Sequence, residues 1–185
     1  MPEQLRAICL RSCYSGFFTE MNRALFIDRD GVINQKGGPY YISQIEDFVF
    51  NRGIFAALKA FSGAGYKIIV ITNQGGIAKK SHTEVETLRL HDYMVSKLAE
   101  EGVTITAVYY CPHHPEVSEC LCRKPGNLLF EKAIQEHHID RKSSLMIGDS
   151  EIDIEAAAKS GIRGIRVKTN SDLTTIEGLC PGSLP

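Results

Sequence analysis

"LFIDRDGVIN", residues 25–34, joins a short apolar run to two carboxylates that stand one residue apart. Residues 24–27 are all apolar, and Asp28 and Asp30 follow before a glycine. Aspartate and glycine are common in turns, so an acidic turn is the simpler interpretation. Open parallel α/β sheets, however, bind their ligands at the carboxyl ends of their strands. The rest of the chain must decide whether these aspartates form a turn or an active site.

Apolar, strand-like runs alternate with helical periodicity along the whole chain. The predicted strands are residues 24–27, 67–72, 103–111, 144–149 and 162–168, and the predicted helices are residues 52–62, a segment that ends at residue 101, residues 126–138 and residues 151–160. Ser81 and Glu84 have the spacing of a capping box, which predicts that the second helix starts there. This alternation predicts βαβ units, and hence an α/β fold with a Rossmann-like parallel sheet sandwiched by helices and no large cap.

Composition and charge exclude several classes of function. The chain has 185 residues, of which 43% are hydrophobic and 23% charged, and its net charge is −1. These values are ordinary for a soluble globular protein, and they create no general attraction to nucleic acid or to anionic membranes. Arg6 and Arg11 interrupt the apolar residues that a signal peptide would need. We therefore expect a cytoplasmic monomer that acts on a small molecule and has no nucleic-acid or membrane partner.

The two ends of the chain lack the pattern of the middle. We expect residues 1–21 to form an N-terminal extension with little order, with Met21 as an alternative start. A single domain is expected over residues 22–179, followed by a flexible tail at residues 180–185.

Polar residues follow the predicted strands at the points where the strands end. They are Asp28 and Asp30, Thr72 with the following Asn73, Gln74 and Gly75, Cys111 and His113, and Asp149 with Asp153 one helical turn later. The carboxyl ends of parallel strands lie on one edge of the sheet, so these groups should converge there. This convergence favours an active site over a set of unrelated turns.

The residue types at this edge suit phosphoryl transfer. Asp28, Asp30 and Asp149 offer the hard oxygen ligands that Mg²⁺ prefers. A carboxylate can also attack phosphorus and form an aspartyl-phosphate, provided that cations and hydroxyl groups offset the negative charge. Thr72 supplies a hydroxyl and Lys124 a cation. In an extended segment Asp30 would lie on the same face as Asp28, where it could act as general acid and then as general base.

Four motifs, in order, resemble those of the haloacid dehalogenase-like phosphatases. They are "DRDGVIN", "ITNQGGIA", "CRKPG" and "GDSEIDIEAA", and the resemblance covers roughly residues 22–168. It implies that Asp28 is the nucleophile and that Asp30 is the acid and base. It further implies Mg²⁺ binding by Asp28, the backbone carbonyl of Asp30 and Asp149, phosphoryl binding by Thr72 and Lys124, and orientation of Lys124 by Asp153.

A cysteine-rich loop at residues 111–122 predicts a zinc site. Its Cys111, His113, Cys120 and Cys122 form a tetrahedral set typical of structural zinc, with free thiols or a disulfide as the alternative. His114 is the rival imidazole, although the resemblance favours His113. The loop runs directly into Arg123 and Lys124, so zinc would position both cations. Cys9, Cys13 and Cys180 are expected to have no role, and the same holds for His82, His91, His137 and His138 as surface or helix residues.

The zinc loop resembles that of two related phosphatase families. One removes the 7-phosphate of D-glycero-D-manno-heptose 1,7-bisphosphate in nucleotide-activated heptose biosynthesis, and the other acts on histidinol phosphate. "YYCPHHPE", "ITNQGGIA" and "FVFNRGIFAALKA" look closer to the heptose family. Two departures affect the substrate rim: "QKGGPYYI" looks two residues longer than usual, and the zinc loop is shorter between His113 and Cys120 than in some members. A third, Ser150 in place of a lysine of some members, removes a possible phosphate contact. The expected substrate-binding residues are Tyr40, Tyr41, Asn73, Gln74, Gly75 and Arg123.

Three alternatives remain open on the sequence. The protein could be a histidinol-phosphate phosphatase of histidine biosynthesis, or a broad-specificity or polynucleotide-end phosphatase. The near-neutral charge argues against a long nucleic-acid partner. It could also be a catalytically silent, zinc-stabilised module that only binds phosphate. The complete set of predicted catalytic residues argues against the silent module.

Overall fold

The structure, a computed structural model, describes residues 21–38 and 40–176. Its strands are β1 (Ala24–Ile27), β2 (Lys67–Asn73), β3 (Ile105–Cys111), β4 (Leu145–Gly148) and β5 (Arg163–Arg166). Its helices are α1 (Ile54–Gly63), α2 (Glu84–Glu100), α3 (Leu128–His137) and α4 (Glu151–Lys159), with short 3-10 segments at Ile45–Asp47 and Leu173–Thr175. Every predicted strand and helix is present, with ends that differ by a few residues.

All five strands are parallel, in the order β3-β2-β1-β4-β5. The chain therefore moves outward from β1 on one side of the sheet and returns to build β4 and β5 on the other. This reversal places a topological switch point beside β1, which is where open α/β sheets bind their ligands. The predicted Rossmann-like α/β fold is confirmed.

Strand β1 lies at the centre of the sheet, and its four side chains are completely buried. Leu25 and Ile27 join the core on the side of α1 and α2, whereas Ala24 and Phe26 join the core on the side of α3 and α4. Successive side chains of a strand point to opposite faces, so a strand with helices on both sides needs a continuous apolar run. This requirement explains why "ALFI" does not alternate with polar residues.

Helix α1 packs the stripe that its sequence predicts. Ile54, Leu58 and Phe61 are each at most 1% exposed, and they face the sheet. Their spacing is that of one helical face, and burying each such side chain contributes about 2 kcal/mol. The helix begins after Gly53, whose φ of +76° is readily adopted only by glycine.

The start of α2 differs from the prediction. The capping box is formed by Thr83 and Glu86, not by Ser81 and Glu84: the Thr83 hydroxyl accepts from the Glu86 amide at 3.2 Å, and the Glu86 carboxylate accepts from the Thr83 amide at 2.7 Å. Ser81 instead belongs to the preceding turn, where its amide donates to the Gly76 carbonyl at 2.9 Å. Both pairs have the correct spacing, and the packing of the preceding loop selects the second.

The predictions for the N-terminal extension before Met21 and for the 180–185 tail lie outside the described residues. Within the described part of the chain, no helix combines the length and the apolar character that crossing a bilayer requires.

Candidate active site

A cavity of about 450 Å³ opens at the carboxyl edge of the sheet. Its lining includes most of the strand-end residues predicted to converge there, together with the two cations of the "CRKPG" motif: Asp28, Asp30, Thr72, Asn73, Gln74, Gly75, Arg123, Lys124, Asp149 and Asp153. Cys111 and His113, which were also expected at this edge, do not line the cavity. The rim residues Lys36, Gly37, Gly38, Tyr40, Tyr41, His114 and Ser150 also line it. Five separate stretches of chain thus contribute to one site.

Lys124 is the centre of the buried charges in this cavity. Its ammonium group donates to Asp28 Oδ1 at 2.8 Å and to the Ile71 carbonyl at 2.7 Å, and it lies 2.6 Å from Asp153 Oδ1. Its side chain is only 1% exposed. A buried cation between two carboxylates is held firmly in place, because water cannot replace either partner. The structure therefore brings Asp153 to Lys124, as an orienting role would require.

Burial and neighbouring charges both shift the pKa values of Asp28 and Lys124. Burial raises the pKa of Asp28 to about 6; Lys124 opposes this effect, whereas Asp153 and Asp30 add to it. Burial alone would lower the pKa of Lys124, but the two carboxylates raise it overall, so Lys124 remains an ammonium. Asp28 is consequently ionised above about pH 6, which a nucleophilic carboxylate needs.

Asp30 faces a different set of partners. Its carboxylate accepts from Arg29 Nη2 at 2.8 and 2.9 Å, from Gln74 Nε2 at 2.8 Å and from Asn34 Nδ2 at 3.1 Å. Burial would raise the pKa of Asp30, but Arg29 and these hydrogen bonds hold it below its ordinary value.

The expectation that Asp30 continues an extended segment is wrong. The backbone turns immediately after Asp28, because the amides of Ile33 and Asn34 donate to the Arg29 carbonyl at 2.8 and 3.0 Å. The turn continues through Gly31, which has a φ of +91°.

The carboxylates that could share a metal ion are those of Asp28, Asp149 and Asp153, whose oxygens lie within 4.8 Å of one another. This oxygen-only set suits Mg²⁺. Each of the three carboxylates also pairs with a lysine: Asp28 and Asp153 with Lys124, and Asp149 with Lys36. The family resemblance is what assigns the metal to Asp28 and Asp149. The carboxylate of Asp30 is not in this group, and its backbone carbonyl is the atom that the resemblance assigns to the metal.

Asp149 has neighbours that the sequence did not indicate. It accepts from the Lys36 ammonium at 3.0 Å and from Thr169 Oγ1 at 2.9 Å. Gly31 lies so close that a Cβ there would be 2.3 Å from Asp149 Oδ2. Glycine is therefore required at position 31 both for its backbone conformation and for the space that Asp149 occupies.

The segment after β2 connects the separate parts of the site. Gln74 Nε2 donates to both Thr72 Oγ1 and Asp30 Oδ2, at 2.9 and 2.8 Å. Asn73 makes two reciprocal hydrogen bonds with the backbone of Lys124, at 3.1 and 3.0 Å. Asn73 therefore ties the end of β2 to the lysine in addition to lining the cavity.

Cys111, His113, Cys120 and Cys122 lie together at the end of β3. Cys111 Sγ is 3.6 Å from Cys120 Sγ and 3.3 Å from Cys122 Sγ, and His113 Nδ1 is 3.3 Å from Cys122 Sγ. Sulfurs about 2.3 Å from a tetrahedral zinc stand about 3.8 Å apart, so the four atoms fit Zn²⁺. These three cysteines are free thiols. His113 rather than His114 completes the set.

The rim of the cavity carries aromatic and cationic side chains. Tyr40 is 89% exposed and meets Tyr41 edge to face, with ring centroids 4.7 Å apart. Arg123 Nη1 donates to the His113 carbonyl at 3.0 Å, so the zinc loop aims this guanidinium. A Cβ on Gly75 would lie 3.0 Å from His114 and 3.1 Å from Arg123. These two side chains therefore pack directly on the loop after β2.

Sequence reasoning missed one buried residue and did not predict the burial of two others. Arg29 is 1% exposed, and its Nη1 lies 3.1 Å from His91 Nε2. His91 and His82, expected at the surface or on a helix, are only 5% and 6% exposed. Burial, with Arg29 nearby, lowers the pKa of His91 to about 3. A signal was present: Leu90, His91, Met94 and Leu98 share one helical face.

Comparison with known proteins gives one consistent result. A profile of the HAD-hydrolase-like family matches residues 121–177. A D-glycero-beta-D-manno-heptose-1,7-bisphosphate 7-phosphatase of Helicobacter pylori (strain J99) is 41% identical over 155 residues, which cover 83% of this chain and 87% of the relative. A D-glycero-alpha-D-manno-heptose-1,7-bisphosphate 7-phosphatase of Photorhabdus laumondii is 40% identical over 154 residues, which cover 80% and 83%.

A solved structure agrees with these relatives. The D,D-heptose 1,7-bisphosphate phosphatase from B. bronchiseptica, complexed with magnesium and phosphate, superposes with a TM-score of 0.76 at 26% identity. The match covers 87% of this chain and 96% of that one. The similarity therefore extends over the whole fold and is not confined to the four motifs.

Proposed function

This chain belongs to the heptose 1,7-bisphosphate 7-phosphatase family of HAD-like hydrolases, and we propose that it removes the 7-phosphate of D-glycero-D-manno-heptose 1,7-bisphosphate. It is a phosphatase. One observation above all supports the chemistry: the Lys124 ammonium is buried between Asp28 and Asp153 at the inner end of the cavity. A fixed cation at a carboxylate allows that carboxylate to approach an anionic phosphate.

In the first half of the reaction, a carboxylate oxygen of Asp28 attacks phosphorus and forms a P–O bond. The bond between phosphorus and the sugar oxygen breaks, and its electron pair stays on that oxygen. In the free protein the pKa of Asp30 is low; a bound phosphate places a like charge beside it, which raises that pKa and favours the protonated form. Protonated Asp30 then gives its proton to this oxygen, so the sugar leaves as an alcohol. Lys124 already donates to Asp28 Oδ1, and among the described residues no hydrogen bond occupies Oδ2. We assign the attack to Oδ2.

In the second half, water attacks the phosphorus of the aspartyl-phosphate. Asp30, now a carboxylate, takes the proton from that water. The bond between phosphorus and Asp28 breaks, its electrons return to the carboxylate, and inorganic phosphate leaves. Both residues end in their starting protonation states. Asp28 and Asp149 would hold Mg²⁺, which when bound offsets the negative charge of the phosphoryl oxygens.

The rim suits a second phosphate on the same sugar. Lys124 serves the reacting phosphate, which leaves Arg123 and Lys36 as the other cations that line the cavity. Tyr40 and Tyr41 offer apolar faces for the sugar ring. Asn73, Gln74 and Gly75 line the same cavity and offer polar groups for the sugar hydroxyls. A bisphosphate can therefore be held at both of its ends.

The substrate is tested by measuring kcat/KM with Mg²⁺ for the heptose 1,7-bisphosphate and for histidinol phosphate on one zinc-replete preparation. We expect the heptose to be preferred by about a hundredfold, or nearly 3 kcal/mol of transition-state binding. Both anomers should be assayed, because the relatives include enzymes named for each. A preference for histidinol phosphate, or slow and equal turnover of both, would overturn the substrate and keep the mechanism.

The nucleophile is tested with Asp28→Asn, which keeps the shape of the side chain. We expect no detectable turnover and retained binding of inorganic phosphate. Asp92→Asn, at an exposed position of α2, is the matched control and should behave as wild type. Unchanged turnover in Asp28→Asn would refute the assignment. A wild-type protein that binds phosphate but never turns it over would instead support the silent-module alternative.

We further propose that the enzyme works as a cytoplasmic monomer. All the residues that we assign to the chemistry belong to one chain. Light scattering of the active protein tests the oligomeric state, and a stable dimer would refute it.

A further inference from the structure

Arg29 is a fully buried cation that the reaction described above does not use. It stands between the two aspartates of the first motif, and it is the largest of the side chains that are less than 2% exposed. Burying an unpaired guanidinium would be strongly unfavourable, so its partners must satisfy it. The identity of these partners indicates what the side chain does.

The first partner is the carboxylate of Asp30. Arg29 donates from Nη2 to both carboxylate oxygens, at 2.8 and 2.9 Å, and from Nε to Oδ1 at 3.1 Å. Asn34 and Gln74 donate to the same carboxylate from other directions. A carboxylate has about four lone-pair positions, so these donors leave it little freedom to rotate.

The guanidinium is itself fixed by two groups that lie outside the catalytic set. Its Nη1 is 3.1 Å from His91 Nε2 on α2. Its Nη2 donates to the Ile42 carbonyl at 3.2 Å, directly after the rim tyrosines. Arg29 therefore connects the carboxylate of Asp30 to a helix and to the rim of the cavity. A planar group with donors in fixed directions can hold such a geometry, whereas an ammonium cannot.

We infer that Arg29 is a positioning residue: it aims the Asp30 carboxylate at the oxygen that leaves phosphorus, and His91 and the Ile42 carbonyl hold the guanidinium in place. The inference rests on the role of Asp30 in the proposed function. Proton transfer needs a heavy-atom separation of about 3 Å, so a protonated Asp30 carboxyl group that rotates freely would transfer its proton less often.

The alternative is that Arg29 only completes the core. The leaving group distinguishes the two roles. A sugar alkoxide is a poor leaving group and needs a proton from Asp30, whereas 4-nitrophenolate leaves without one. The ratio of kcat/KM for the heptose bisphosphate to kcat/KM for 4-nitrophenyl phosphate therefore reports proton donation. A loss of folded enzyme lowers both values equally and leaves the ratio unchanged.

The test compares Arg29→Lys and Arg29→Met with wild type. We expect the ratio to fall by about tenfold or more, because a positioned general acid contributes about 10² to 10⁴. Asp30→Asn removes the proton donor itself, so it gives the largest decrease in the ratio that a loss of proton donation can cause. In the Asp30→Asn background, Arg29→Lys should change the ratio no further, since the arginine acts through that carboxylate. Arg89→Lys, at an exposed position of α2, should leave the ratio unchanged.

His91 provides an independent variant, should the Arg29 variants not fold. His91→Leu removes the acceptor of Arg29 Nη1 and should lower the ratio, whereas His91→Gln keeps an acceptor and should stay closer to wild type.

Suppose that Asp30→Asn lowers the ratio. An unchanged ratio in the folded Arg29 variants would then overturn the inference. If the Arg29 variants do not fold, an unchanged ratio in His91→Leu would overturn it. An unchanged ratio in Asp30→Asn itself would refute the proposed role of Asp30, and the inference would fall with it.

Discussion

At the scale of single residues, the site contains a buried carboxylate, Asp28, whose ionisation lowers the stability of the fold. Asp28 is 7% exposed, and its ionised form is less favourable in the fold than in water, because burial raises its pKa from 3.8 to about 6. Between these two values the folded protein binds more protons at Asp28 than the unfolded chain does. The free energy of unfolding therefore falls as the pH rises through this window. Such a loss of stability is expected where a nucleophile must be ionised and shielded from water.

The raised pKa of Asp28 predicts how Asp28→Asn changes stability. Above pH 7 in Mg²⁺-free buffer with zinc retained, the variant should be more stable than wild type by up to about 3 kcal/mol. The difference should disappear near pH 4, where wild-type Asp28 is protonated and resembles asparagine. Urea unfolding at both pH values measures it, and a variant less stable than wild type at pH 7.5 would contradict the prediction.

At the scale of the elements, the start of α2 is set by one of two possible capping boxes, the one formed by Thr83 and Glu86. Thr83→Ala removes the hydroxyl that accepts from the Glu86 amide, and it should lower the free energy of unfolding by about 1 kcal/mol. Ser81→Ala is the matched control, since the Ser81 hydroxyl does not cap the helix, and it should change stability by less than about 0.5 kcal/mol. Equal losses in the two variants would show that the cap lies elsewhere.

Helix α2 also carries a buried histidine whose ionisation opposes folding. The pKa of His91 is lowered from 6.5 to about 3, mainly by burial. Below pH 6.5 the unfolded chain takes up a proton at this residue before the folded protein does, so stability is lost as the pH falls. From pH 7 to pH 5, wild type should lose about 2 kcal/mol more than His91→Gln. Parallel pH profiles for the two proteins would rule this out.

At the scale of the whole molecule, the zinc loop joins β3 to the catalytic lysine. Cys122 stands two residues before Lys124, and Arg123 donates to the His113 carbonyl inside the same loop. Bound zinc would hold the loop in one conformation through four of its residues. The core on the side of α1 and α2 contains no residue of the loop, whereas the core on the side of α3 and α4 includes Cys111 and contacts Cys120 and Cys122.

Removal of zinc should therefore affect activity more than the fold. We expect one zinc per chain by elemental analysis. Treatment with a zinc-selective chelator should lower kcat/KM by about tenfold or more, because the loop leads directly into Lys124. The far-UV circular dichroism spectrum should be largely kept, because the core on the side of α1 and α2 contains no residue of the loop. Added Zn²⁺ should restore activity and added Mg²⁺ should not. Full activity of Cys120→Ser without bound zinc would refute the role of the metal.

Much of the fold and of the site of this protein can be predicted from local sequence patterns. The apolar run of β1, the stripe of α1 and the polar residues after each strand predicted the parallel sheet and its active edge, because strand and helix periodicities depend on neighbouring residues alone. The cysteine and histidine spacing likewise predicted the zinc cluster, since ligands one residue apart reach the same ion. The family resemblance added the substrate class and the expected roles of the residues.

Only the tertiary structure decided how the charged groups pair. Arg29 and His91 are 62 residues apart in sequence, and Lys36 and Asp149 are 113 apart. Such contacts depend on how whole elements pack against one another, and the hydrophobic periodicity of a local segment does not indicate this. The choice between two capping boxes and the turn that follows Asp28 have the same origin. The sequence by itself thus determined the elements and the residues of the site, and packing determined which of those residues face one another.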